Sequence, residues 1–376
     1  MKPRIYLDNN ASTPLDPRVF QVILKNLQGE IGNPSSTHYF GQQLRNQITQ
    51  ARHSLAAFFK VKPSELFFTS TGTEAVNMII RGLFVDNFSG HIVTSNVEHA
   101  CVYNTVKWME KKGCAVTYLE SGLWGAVTPN AVRKALRPDT RLIALMAVNN
   151  ETGVKTDVPG IAQIAQEAGI PFFVDGVAWL GKESVVLPEG VSAACFSGHK
   201  IHAPKGVGLA FIRRGVKIAP FIIGGNQEYG LRGGVENVSS IVGLAEAVQI
   251  LKNELPQASG HMEKLRNQLE QGILRNLSGV SINGQGPRVV NTSNLSFEGV
   301  DGESLLMILD QEGIAVSHGS ACSAGALEPS RILLNMGVPR ENALSSIRFS
   351  VSRMNTEEEI EQSIEIVTRV VMRLRD

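Results

Sequence analysis

Hydrophobic positions along this chain recur with two periods, and the change from one to the other marks its elements. Short apolar runs read as buried strands: Leu66–Thr69, His91–Ser95, Ala115–Leu119, residues 142–148, Phe172–Asp175 and residues 191–196. Between several of these runs, apolar residues fall three and four apart, which predicts helices near residues 103–112, 130–136 and 160–168. Strands alternating with helices predict an α/β fold with a doubly wound, mainly parallel sheet covered by helices on both faces. Upstream, residues 1–14 read as an extended arm. A helix over 16–27 then starts at Asp16-Pro17, and an amphipathic helix over 42–59 follows the turn cluster Gly32-Asn33-Pro34-Ser35-Ser36. A long helical pattern runs from about 238 to 277, with Pro256 expected to bend or break it. Beyond it the pattern changes. Short strands (280–282, 292–297, 314–316, 347–351) alternate with helices (302–311, 329–336, 356–373), as in a smaller α+β domain onto which the arm packs. The predicted division is therefore 15–255 as a large domain, and 1–14 with 256–376 as a small one.

Composition changes little in this picture. A chain of 376 residues is long enough for two packed domains, and its formal net charge of +1 points to neither a nucleic-acid nor an acidic-surface partner. No apolar run reaches membrane-spanning length and the start lacks the apolar core of a secretory signal, so no membrane association and a cytoplasmic location are expected. The four cysteines form no CxxC pair and no zinc-ligand spacing, so neither a disulfide framework nor a metal site is expected. Cys114 and Cys195 lie in apolar runs as core thiols, whereas Cys322 sits in the small-residue loop SHGSACSAG.

The candidate chemistry lies at strand ends. The run at Phe172 finishes on Asp175, and the next strand leads into Ser197-Gly198-His199-Lys200, with Gly198, Pro204, Gly206 and Gly208 enforcing close backbone turns. A pyridoxal 5'-phosphate (PLP) enzyme needs such a pair: a lysine to carry the cofactor as a Schiff base, and an acid to keep the pyridine nitrogen protonated. A solvated lysine beside a turn and an aspartate capping a helix have the same local appearance. Ser70-Thr71-Gly72-Thr73 opens a helix and suits either a phosphate or ordinary capping. His99 follows a strand, as a ring for a planar cofactor or as a surface imidazole; Asn149-Asn150-Glu151-Thr152-Gly153 follows another. The glycine-rich stretch 224–238 reads as an ordered loop or a subunit contact.

In order along the chain, YLDNNAS, GNPSS, TSTGTEA, VEH, NNETG, VDG, FSGHK with PKGVG, GGNQE with GLR, GSACSAGALEPS and SIRFS are similar to the motifs of cysteine desulfurases of the NifS/IscS type. These are fold-type I PLP enzymes of the class V aminotransferase group, and the resemblance covers essentially the whole chain. It implies that Lys200 carries the cofactor, Asp175 pairs with the ring nitrogen, and His99 stacks on the ring and takes part in catalysis. Gly72, Thr73, Ser197 and His199 match phosphate-binding positions. Asn150 matches a residue beside cofactor and substrate, Arg348 the arginine for the substrate carboxylate, and Cys322 the nucleophile that takes sulfur from L-cysteine. Also implied are a homodimer and delivery of sulfur to an iron-sulfur scaffold or a thiolation protein. A Cys322 persulfide would then be the only, transient, contact with an iron-sulfur cluster. Two positions depart from the family: Ala178 where a glutamine donates to the cofactor's phenolic oxygen, and Val235 where a threonine reaches the neighbouring subunit's phosphate. Asn226, Tyr229, His202 and Ala203 also differ. The alternatives are another class V enzyme, such as a selenocysteine lyase, and an inactive PLP-fold scaffold or sulfur-transfer partner.

Overall fold

The computed structural model describes residues 4–29, 31–84, 87–318 and 328–376. Its central sheet has seven strands, in the order Leu66–Thr69, Gly208–Ile212, Ala193–Ser197, Phe172–Asp175, Thr140–Met146, His91–Ser95 and Ala115–Leu119. From Ala193–Ser197 across to Ala115–Leu119 all neighbours pair in parallel. Gly208–Ile212 runs antiparallel to both of its neighbours. That strand was not expected: the glycine-rich turn before it is legible, but its short apolar run carries no sign of which strands it pairs with.

Both faces of the sheet are buried, which is why its strands read as unbroken apolar runs. Val174, Ala194, Phe196, Leu209 and Phe211 pack into one cluster, and Phe173, Ala193, Cys195 and Ala210 into the other, in strict alternation along each strand. Phe172 and Phe173 are fully buried on opposite faces, each worth about 1.5–3 kcal/mol relative to an exposed side chain.

The helix Val238–Asn276 is continuous over 39 residues, and Pro256 lies inside it without ending it. Pro256 and Lys252 lie on the exposed side, where water can satisfy the carbonyl that the proline leaves without a donor. Ile241, Leu244, Val248 and Leu251 enter the core of the large sheet. Met262, Leu265, Leu269 and Ile273 enter a separate core with Phe297, Leu309, Ile347 and Val367. A three-stranded antiparallel sheet lies over this second core, with Thr292–Phe297 between Val280–Ile282 and Ser346–Ser350. The arm packs on the same core through Ile5–Tyr6, which pairs in parallel with Ile314–Ala315 as a separate two-stranded sheet. The helix expected over 329–336 is Arg331–Asn335, and a second, Arg340–Leu344, follows it unexpected. Gly337 at φ 87° and Pro339 separate them. Among the described residues no helix is long and apolar enough to cross a membrane.

Candidate active site

Parallel strands deliver their carboxyl ends to one edge of a sheet. Here that edge carries Met146, Asp175 and Ser197, and in register Asp175 lies between Met146 and Cys195. The helices Gly72–Gly82 and Ala100–Lys111 begin near the same edge, and a cavity of about 300 Å³ opens there. Gly72, Thr73, His99, Asn150, Asp175, Ser197, His199, Lys200 and Arg348 all line it. Cys322, the remaining candidate, lies outside the described residues.

Asp175 is 4% exposed. Its Oδ1 accepts the Val177 N–H at 3.0 Å and faces the Cys195 thiol at 3.6 Å. Lys200 ends a single 3-10 turn, Gly198–Lys200, and its ammonium donates to the main-chain carbonyls of Asn10 and of Ala11, the latter at 3.0 Å. The amino-terminal arm thus closes the cavity over the lysine. His99 caps the helix Ala100–Lys111, with its Nδ1 accepting the Cys101 N–H at 3.2 Å. Burial lowers its proton affinity and favours a neutral ring. His199 sits 3.3 Å from Ser12 Oγ; burial, with Lys200 and Lys205 nearby, brings it down to about 4, so it too is neutral at pH 7.

At the other end of the cavity, Thr71 caps the helix Gly72–Gly82 by accepting the Glu74 N–H at 3.0 Å. The first-turn N–H groups of a helix have no partner within it and attract an anion. Gly72 keeps that approach open, since a Cβ there would lie 3.0 Å from Val177 Cγ2. Arg348 crosses from the small sheet with its side chain 3% exposed. It donates to Asp8 Oδ1 at 2.7 Å and to the Asn150 carbonyl at 3.1 Å. Arg348 Nε and Asn150 Oδ1 are both buried without a partner among the described residues. Buried polar atoms of this kind call for a ligand. An acid, a primary amine, a neutral imidazole, a helix start and an arginine around one hollow fit a PLP molecule and an amino-acid carboxylate.

The class-V aminotransferase family model matches residues 5–362. The chain belongs to this family, among its NifS-type cysteine desulfurases. A cysteine desulfurase of Nostoc sp. is 41% identical over 374 residues, which is 99% of this chain and 94% of the relative. A cysteine desulfurase IscS of Dictyoglomus turgidum is 40% identical over 379 residues, covering 100% of this chain and 96% of the relative. A solved structure of a NifS-like protein superposes with a TM-score of 0.91 at 36% identity, over 99% of this chain and all of that one. The expected α/β fold of this class V group is the one observed.

Other residues of the cavity escaped the sequence reading. Lys182 is 3% exposed, lines the cavity and donates to the Lys200 carbonyl at 3.0 Å. Burial, and then the charges of Lys200 and Arg353, lower its ammonium to about 7. Its position two residues before Ser184, in a polar turn, reads as a solvated lysine, and nothing local says that the fold covers it. Cys101 and Asn10 also line the cavity. Of the departures from the desulfurase pattern, Ala178 lies on the cavity wall, whereas Val235 is 57% exposed.

Proposed function

We propose that the chain is a PLP-dependent cysteine desulfurase that takes sulfur from L-cysteine, leaving L-alanine and a persulfide on Cys322. Its support is the gathering of Lys200, Asp175 and Arg348 around one cavity in a chain that matches cysteine desulfurases over its full length. Bound through Lys200, the cofactor supplies a ring that accepts the electron pair released when the substrate loses its α-proton. Asp175 holds a proton on the ring nitrogen, and its burial strengthens that interaction. His99 offers an uncharged ring as one wall. Gly72, Thr73, Ser197 and His199 hold the phosphate, and the neutral His199 contributes hydrogen bonds rather than charge. Arg348 orients the substrate by its carboxylate beside Asn150; its planar fork suits that task and Asp8 already fixes it in place. Once the substrate amine has taken its place on the cofactor, the freed Lys200 Nζ takes up the α-proton. Cys322, as thiolate, attacks the substrate sulfur: an S–S bond forms, the Cβ–S bond breaks, Cβ takes a proton, and the α-carbon regains the proton held on Lys200 to give alanine.

In this reading residues 15–255 bind the cofactor, while 1–14 and 256–376 form a small domain that brings Asp8, Cys322 and Arg348 to it. A homodimer with a cytoplasmic location belongs to the same reading. The dimer is supported by the apolar side chains Ile223, Tyr229 and Val235, 90%, 64% and 57% exposed on the glycine loop. The sulfur goes on to an iron-sulfur scaffold or another acceptor protein. The test is to incubate the purified protein with L-cysteine and a reducing thiol, and to measure sulfide and alanine. Equal amounts of both are expected, with loss in Lys200→Ala and in Cys322→Ser. Full sulfide release by Cys322→Ser would overturn the persulfide step, and a protein that takes up no PLP would overturn the whole reading.

A further inference from the structure

One set of side chains in the cavity has chemistry that the desulfurase reaction does not use. A ring nitrogen of His99, the thiol of Cys101 and a carboxylate oxygen of Asp175 lie within 4.8 Å of one another. His99 Nδ1 is 2.9 Å from Cys101 Sγ and accepts the Cys101 N–H at 3.2 Å, a bond that a metal on this nitrogen would replace. A nitrogen, a sulfur and an oxygen donor in one small space match the ligand set of zinc, with bonds of about 2.0–2.3 Å. Such bonds put neighbouring ligand atoms about 3.5 Å apart, so the imidazole and the thiol must part by about 0.6 Å and the carboxylate must close in by up to about 1.3 Å.

The surroundings suit a cation. Asp175 is already oriented through its other contacts, the Val177 N–H and the Cys195 thiol, as a second shell would require. The cavity leaves room on its open side for a fourth ligand, water or a small thiol. His99, Cys101 and Thr73 also line a second, outer hollow of about 480 Å³, with Asn77, Asn104 and Trp108, so the donors can be approached from outside. The mixed donors favour a borderline-soft ion and disfavour magnesium and calcium, which prefer all-oxygen sites.

We propose that His99, Cys101 and Asp175 bind one zinc ion in the cofactor-free chain, and that zinc and the cofactor exclude one another. Binding converts the Cys101 thiol to a thiolate and releases its proton to solvent; no electron is transferred. The exclusion rests on the proposed function, which assigns His99 and Asp175 to the cofactor; the metal site itself does not. Zinc would thereby hold newly made protein in an inactive form until PLP displaces it.

The test uses the full chain, stripped of cofactor, in a Cys322→Ser background so that the loop thiol adds no ligand. Protein is dialysed against zinc chloride or magnesium chloride, and bound metal is measured by plasma emission. One zinc and no magnesium per chain are expected, and Cys101→Ala should lose that zinc while still taking up PLP. Cofactor uptake, followed by its visible absorbance, should slow at least tenfold with zinc present, but not in Cys101→Ala. Added PLP should release the zinc. Equal zinc in Cys101→Ala, or zinc and PLP bound together, would overturn the proposal. Failure of zinc-free protein to take up PLP would instead sink the cofactor reading, and the dialysis result alone would then decide the metal site.

Discussion

Replacing Lys182 with methionine should stabilise the cofactor-free protein, although it removes a hydrogen bond. The lysine is buried to 3% exposure with Lys200, Arg353 and His202 as its charged or titratable neighbours. Its ammonium titrates at about 7 rather than 10.5. An unfolded chain therefore binds more protons than the folded one between pH 7 and 10.5, and stability rises with pH across that window. Below pH 7 the cost is fully present; above about pH 10.5 it is gone. At about 1.4 kcal/mol per tenfold change in the proton equilibrium, the cost at pH 7 comes to about 4 kcal/mol. Methionine fills a similar volume without the charge, but leaves the Lys200 carbonyl without this donor, a loss of about 1–3 kcal/mol. The expected net gain is thus about 1–3 kcal/mol at pH 7, disappearing or reversing by pH 10.5. Urea unfolding of both proteins at the two pH values measures it. A variant less stable than the parent at pH 7, or a difference equal at both pH values, would refute the view that this lysine is a strained buried cation.

Three further outcomes follow from the site and its supports. Asp175→Asn should weaken PLP binding about ten- to hundredfold, the weight of a hydrogen bond to a charged group, as read from a spectral titration. Arg348→Lys should raise KM for L-cysteine by about tenfold or more with a smaller effect on kcat, because an ammonium cannot reproduce the planar fork; initial rates across substrate concentrations separate the two. Arg52→Met should destabilise the fold by about 3–5 kcal/mol in denaturant unfolding. Arg52 holds Glu228 through bonds of 2.9 and 2.6 Å, with side chains 8% and 1% exposed, and its loss leaves that carboxylate buried without a counter-charge.

The sequence by itself determined what depends on near neighbours along the chain. Unbroken apolar runs, capping residues such as Thr71, and the acid or lysine at a strand's end are local, so the α/β alternation, Asp175 and Lys200 were legible before any coordinates. Ordered motifs extended this to the reaction; Cys322 rests on the resemblance alone, outside the described residues. What the tertiary structure alone decided depends on strand order and on burial. The carbonyls of Asn10 and Ala11 meet Lys200 across 190 and 189 residues of sequence. Cys101 approaches Asp175 because the helix Ala100–Lys111 starts near the sheet edge where the Asp175 strand ends, and Lys182 becomes a cavity residue because the fold closes over a turn that is polar in sequence. A sequence pattern records which face of an element avoids water; it carries no distance between elements, and the proton affinities and ligand sets of this site are set by those distances.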